Sequence, residues 1–193
     1  MSPQPSNRAQ LIEGTLRCLE DLPPERITAR AIAAASGANL ASITYHFGSK
    51  DVLITEAVIE GLDRWLAEVD TRLQAGIAET PAARLRQAHE AIDQTRRDHL
   101  GLARTFLAAI AKAQHDDRVR RLLVTGFQRT RRSLAHVLGL GDDPAARDAA
   151  GLILAMFDGL LFQTLLDEDL AIEGDRMTAA EATLRTLLPD RSP

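Results

Sequence analysis

Apolar residues recur along this chain three and four positions apart instead of alternating with polar ones, a rhythm that predicts helix after helix and no sheet. Ile12, Leu16 and Leu19 share one face of a first helix that opens near Ser6. Pro23-Pro24 must stop it, since proline lacks the amide proton and restricts the residue before it. Thr28 stands where its hydroxyl can cap a short helix over residues 29–35, and Gly37 suits the left-handed residue that ends one. Asn39 is a second cap, opening a segment over 40–47, and Ser49 a third, opening a long helix over 50–73. At a rise of about 1.5 Å per residue that helix spans roughly 30 Å or more, enough to join two lobes.

Thr80-Pro81 starts the next helix with proline in its first turn, and amphipathic stretches follow over 82–96, 100–114 and 117–138, the last closed by Gly139 and Gly141. Asp143-Pro144 repeats the cap-then-proline signature and launches a helix over 144–167. That helix is apolar on two sides. Leu152, Met156, Gly159 and Gln163 line one, while Leu154, Phe157, Leu161 and Leu165 line nearly the opposite one, so it needs two partners: its own core and a second subunit. Thr178-Ala179-Ala180-Glu181 reads as a capping box for a final helix carrying Leu184, Leu187 and Leu188 and stopped by Pro189.

Composition agrees with an all-α chain that can bury a sizeable core: 193 residues, 45% hydrophobic, and only 4% aromatic. The lone Cys18 can form no internal disulfide, and the opening MSPQPSNRAQ holds no apolar stretch for a secretory signal, so a soluble protein in a reducing cytoplasm is expected. The most apolar run, 152–162, is interrupted by Asp158 and Gly159 and is shorter than the ~18 residues a membrane helix needs. Net charge is −4, which by itself argues against a nucleic-acid partner. Its distribution reverses that argument. Residues 26–50 contain Arg26, Arg30 and Lys50 and no acid, whereas residues 51–193 carry 18 basic and 23 acidic side chains.

The acid-free window coincides with two short helices joined by a glycine turn, the spacing of a helix-turn-helix whose second helix enters the major groove of DNA. Ile32, Ala33, Ile43 and Phe47 point inward in this reading. The outward set is Leu40, Ala41, Ser42, Thr44, Tyr45 and His46, with Asn39 at the helix start. Small Ala41 and Ser42 allow close approach to bases, Thr44 can touch a base edge, and Tyr45 and His46 can donate to phosphate. Lys50, at the N-terminus of the long helix, and Thr28 and Arg30, at the start of the first short one, offer phosphate contacts on either side of the groove.

At these residues the chain resembles the tetracycline-repressor (TetR) family. The segment Ile27-Thr28-Ala29-Arg30-Ala31-Ile32-Ala33 is similar to the family's first short helix, Ser36-Gly37-Ala38 to its turn, and Ile43-Thr44-Tyr45-His46-Phe47-Gly48-Ser49-Lys50 to its recognition helix and lysine, the likeness covering about residues 8–55. Thr44 departs from it, since many members carry an aromatic there. The resemblance implies a three-helix DNA-binding domain over 1–50 and a helical effector-binding and dimerisation domain over 51–193. It further implies a homodimer on a palindromic operator, repression relieved by a small molecule, no cofactor and no catalysis. A small-molecule binding protein that has lost operator recognition is the competing reading. An all-α enzyme is a third, and no paired carboxylates, activated nucleophile or phosphate loop supports it.

Trp65, His89, Phe106, Ile110, Phe127 and Phe157, with Phe162, are the candidates to line an effector cavity, being bulky or polar in an Ala-rich and Leu-rich body. The candidate dimer surface combines Leu152, Met156, Gly159 and Gln163 with Leu184 and Leu187. His89, His99, His115 and His136 are too far apart for a metal pair on one helix, and no metal is expected. His115-Asp116-Asp117 reads as a helix-start turn, Cys18 as a packed residue, and the arginines at 84, 86, 96, 97, 129, 131 and 132 as solvated helix faces.

Overall fold

The structure, a computed structural model, describes residues 6–75 and 80–187. All of its regular elements are helical: α1 (Asn7–Asp21), α2 (Ala29–Ser36), α3 (Ala41–Phe47), α4 (Lys50–Gln74), α5 (Pro81–Thr95), α6 (Leu100–Ala113), α7 (Asp117–Val137), α8 (Pro144–Thr164) and α9 (Gly174–Leu187), with short 3₁₀ turns between some of them. Among the described residues no helix is long and apolar enough to cross a membrane.

The starts of most helices follow from their caps. Ser6 accepts the Ala9 amide, Thr28 that of Ala31, Ser49 that of Val52, Thr80 that of Ala83, and Asp143 that of Ala146. Each bond satisfies one of the amides that a helix leaves without an internal partner. Asp116 accepts from both Arg118 and Val119, so the acidic turn before α7 is a cap. Gly37 has φ +66°, the left-handed conformation that lets the chain turn from α2 toward α3.

Two expectations fail at the C-terminal end. The last helix begins at Gly174, and Thr178 lies inside it, its hydroxyl turned back on the Gly174 carbonyl, so the Thr178–Glu181 box caps nothing. A hydroxyl that bonds the preceding turn is compatible with a helix interior, and the box pattern by itself cannot tell the two apart. Helix α8 ends at Thr164, three residues early, where Leu166 and Asp167 both turn their amides onto the Gln163 carbonyl. The Leu187 side chain, Leu188 and Pro189 lie outside the described residues.

Two apolar clusters hold the helices. The first joins Leu11, Leu19, Ile27, Ile32, Ile43 and Phe47 to Val52, Leu53 and Val58 of α4 and to Leu102, Phe106, Val119 and Leu123 of α6 and α7, so it runs across the expected division at residue 50. Cys18 is packed within it, and burial raises its thiol pKa. The second joins Trp65, Val69 and Leu73 of α4 to Ala88 and Ala91 of α5, Leu134 of α7 and Ala150 and Leu161 of α8. Helix α4 therefore belongs to both. Gly101, at the start of α6, lies so close to the end of α1 that a Cβ there would overlap the Leu19 carbonyl oxygen. Arg96 corrects the reading of a solvated face. It is 5% exposed and bonded to Glu173, with Glu168 at 3.8 Å, and so pins the connection after α8 against the end of α5.

Candidate DNA-binding surface and effector cavity

Phe47 and Ile32 are fully buried and Ile43 nearly so, whereas Ala33 is half-buried. They anchor α2 and α3 and leave the other face of α3 outward. Leu40, Ala41, Thr44 and Tyr45 are exposed there, and Ser42 and His46 are partly so. Asn39 Oδ1 accepts the Ala41 amide at 2.9 Å and sets the start of α3. Tyr45 is 85% exposed, with its ring edge-on to His46 at 4.8 Å. A large aromatic that buries almost nothing contributes little to folding, and its hydroxyl is free to reach a partner. Asn7, Asn39, Ala41, Ser42, Tyr45 and His46 line one shallow groove on this face. Asn7 was not among the expected site residues, because it lies in the polar opening segment and reaches the groove only through the packing of α1 on α2 and α3.

The flanking residues Thr28 and Lys50 make hydrogen bonds within the chain. Thr28 Oγ1 accepts from the Ala31 amide at 3.1 Å, and a hydroxyl that accepts in a cap keeps its own proton to donate. Arg30 is exposed beside it. Lys50 is half-buried, and its Nζ donates to the Ile27 carbonyl at 3.2 Å, tying the start of α4 to the residue before the α2 cap. One of its three N–H donors is used in this way, and an ammonium so held is positioned instead of sweeping the surface. Asp51, the next residue along the chain, is paired with Lys112 at 3.1 Å.

The second site is a partly open cavity of about 110 Å³ lined by α4, α5, α6, α7 and α8. Trp65, Phe106, Phe127 and Phe157 line it, as expected of them. Trp65 spends its indole N–H on Thr95 Oγ1 at 2.8 Å, so its ring presents only carbon to the space. His89 and Ile110 are not part of the lining. His89, 4% exposed, stands against the Phe157 ring at 4.5 Å, and burial lowers its pKa. Ile110 packs on the first apolar cluster, and Phe162 meets Phe106 at 5.9 Å away from the cavity wall. Helical periodicity places these side chains inward but cannot say which inward direction holds open space. Thr130 and Asp158 also line it and were not anticipated there. Burial pushes the Asp158 carboxyl up to about 6.

On α8 the two sides separate as the pattern required. Leu154, Phe157, Leu161 and Leu165 pack on the second cluster. Leu152 is 76% exposed, Gln163 is exposed and Met156 and Gly159 are half-buried, and Leu184 of α9 is 51% exposed.

A helix-turn-helix with a polar outward face, carried on a helical body with a mostly apolar cavity, defines a DNA-binding regulator. Residues 11–57 match the tetR family of bacterial regulatory proteins, and residues 81–189 match the C-terminal domain of BetI-type transcriptional repressors. The chain belongs to the TetR family, and is a transcriptional repressor and no enzyme, with operator DNA, a second copy of itself and a small-molecule effector as its partners. It is similar to the transcriptional regulator BetI of Burkholderia thailandensis, at 30% identity over 79% of this chain and 78% of that one. Its fold is shared by a transcriptional regulator from Streptomyces coelicolor, with TM-score 0.65, 25% identity and coverage of 94% and 98% of the two chains. The multidrug binding protein EbrR, complexed with imidazole, has the same fold at TM-score 0.64 and 24% identity, covering 98% of each chain.

Proposed function

We propose that residues 1–50 grip the operator and residues 51–193 dimerise and sense the effector, so that a compound entering the cavity releases DNA. In this reading α3 of each copy lies in one major groove, with successive grooves about 34–36 Å apart. Thr28, Arg30, Tyr45, His46 and Lys50 hold phosphates, and Ala41, Ser42 and Thr44, with Asn39 and Leu40 at the helix start, meet base edges. The observation that carries the reading is the exposed, acid-free face of α3 centred on Tyr45. Action on chromosomal operators places the protein in the cytoplasm.

Contacts between the lobes supply a route from cavity to groove. Arg118 of α7 lies against Gly48, where a Cβ would collide with its guanidinium. Lys112 of α6 pairs with Asp51, and the Gly101 contact seats α6 on α1. Phe106 and Phe127 line the cavity on these same two helices, so a ligand that shifts α6 or α7 biases where α3 sits. The outer side of α8 supports a homodimer. Among the described residues, a Cβ on Gly159 would meet nothing within 4 Å beyond its own helix turn, leaving room for a partner helix beside exposed Leu152.

The test is binding to a palindromic fragment upstream of the protein's own gene or a neighbour's. Affinity is expected to fall steeply with salt, and Lys50→Ala to lower the slope of log K against log salt by about one. Ser42 or Thr44 substitutions should change base preference, and Gly159→Arg should yield monomers in sedimentation. Absent or salt-insensitive binding across a genomic-fragment selection would favour a small-molecule binding protein that has lost operator recognition.

A further inference from the structure

The turn between α3 and α4 carries a cation that the helix-turn-helix does not itself supply. Arg118, the second residue of α7, reaches across to Gly48 and lays its guanidinium where a Cβ on that glycine would stand. Gly48 is exposed and has φ +78°, so conformation and contact both call for a residue without a side chain. Arg118 is exposed too, and among the described residues its guanidinium makes no hydrogen bond and no ion pair. The acids around it are engaged. Asp51 pairs with Lys112 at 3.1 Å, Asp117 with Arg120 at 2.8 Å, and Asp116 accepts the Arg118 and Val119 amides as the cap of α7. Lys50 and Arg118 are left as the two cations at this turn whose charge meets no acid among the described residues. Holding a long side chain in one place costs rotamer freedom, and nothing described on its own chain offsets that for Arg118.

We propose that Arg118 is a DNA contact supplied by the effector lobe, its guanidinium pairing with an operator phosphate at the turn between α3 and α4. This rests on the reading of α3 as the helix that enters the major groove. Tyr45 and His46 precede Gly48 in the chain and Lys50 follows it, so a backbone strand held by all three passes the exposed turn on which Arg118 is laid. A guanidinium suits that partner, since its planar fork meets two phosphate oxygens with parallel N–H bonds. Lys112 is the poorer candidate, because Asp51 already balances its charge. The contact positions the protein and reads no base. Its place in the fold gives it a second consequence. Leu123 and Phe127 of the same helix line the cavity, so a guest that shifts α7 withdraws a charge from the operator directly, besides any movement of α3.

The experiment is a salt series of fluorescence-anisotropy titrations of the full-length protein on its operator fragment and on a scrambled duplex, for the wild type, Arg118→Ala, Arg118→Lys, Lys50→Ala and the double alanine variant. Arg118→Ala is expected to lower the slope of log K against log salt by about one and to weaken both duplexes alike. Its melting temperature should stay at the wild-type value, because the side chain is exposed. Arg118→Lys should keep the wild-type slope, and the double variant should lose about two. An unchanged slope in Arg118→Ala overturns the proposal, and if affinity falls all the same and lysine does not restore it, the residue serves only to pack on Gly48. A double variant whose slope falls no further than that of Lys50→Ala overturns it too, since Arg118 would then act through Lys50. The two readings fail differently. If Lys50→Ala lowers the slope and Arg118→Ala does not, this inference falls and the DNA reading stands, whereas binding that is absent or insensitive to salt in the wild type sinks both.

Discussion

The helix-turn-helix and the cavity hang on the same helix, α4, yet they are made in opposite ways. Around its first turns Val52, Leu53 and Val58 are packed to near-zero exposure, and the neighbouring caps at Thr28, Asn39 and Ser49 are all satisfied locally. Further along, Trp65 and Val69 border open space shared with four other helices, and a carboxyl stands there without a partner among the described residues. One region is a rigid mount for an outward face. The other leaves space and an unmet charge inside. The difference teaches where each kind of recognition can live: a reader of DNA needs side chains held at fixed spacing, while a sensor needs an interior that gains stability when filled.

The contrast breaks most sharply at Phe47. Phe47→Ala is expected to cost about 3–5 kcal/mol in urea unfolding and to abolish operator binding, because the ring anchors α3 from a fully buried site. A loss under about 1 kcal/mol would mean that the mount is not rigid. Asp158→Asn should act in the other direction. Its carboxyl is raised from an ordinary value near 3.8 to about 6, so the folded state holds a proton that the unfolded chain releases between those limits. Stability from this residue is full below about 4, declines as pH rises, and is lost above about 6, where the charged group is a burden. The asparagine variant should therefore be more stable by about 1–3 kcal/mol in thermal melts above pH 6, a range trimmed for residual solvent at a half-buried group, and should show no gain below pH 4.

Smaller effects sharpen the same division. Thr28→Ala should cost about 1 kcal/mol, the usual worth of such a cap, and should weaken DNA binding further if the hydroxyl also donates to phosphate. Comparing guanidinium melts with salt titrations of operator affinity separates the two roles. Glu13→Gln removes the pairing of α1 with Arg64 of α4, where both side chains are about half exposed, so the cost should stay below about 1 kcal/mol and vanish in high salt. A larger cost would show that α1 and α4 depend on charge as well as on their shared core.

What could be read from residue order alone was whatever is settled within a few residues of itself. The caps at Ser6, Thr28, Ser49, Thr80 and Asp143, the left-handed Gly37, and the split of α8 into two sides follow from hydrogen bonds and periodicity that span one or two turns. The outward face of α3 was legible for the same reason, since fixing Ile43 and Phe47 inward fixes Tyr45 outward. Even so, a local pattern was ambiguous at Thr178, where the same residues fit a cap and a helix interior.

Only the tertiary structure decided which inward side chains surround empty space. Trp65, Phe106, Phe127 and Phe157 meet around the cavity from four helices, while His89, Ile110 and Phe162, equally apt by pattern, fall behind or beside its wall. Lys50 showed its Ile27 contact and Arg96 its burial only once distant segments were docked. Asp158 looked in the sequence like an interruption of an apolar run, and became the one charge in a cavity when five helices closed around it. The physical reason is range: capping and periodicity act along the chain, whereas cavities, buried charges and their partners are properties of how separate helices pack.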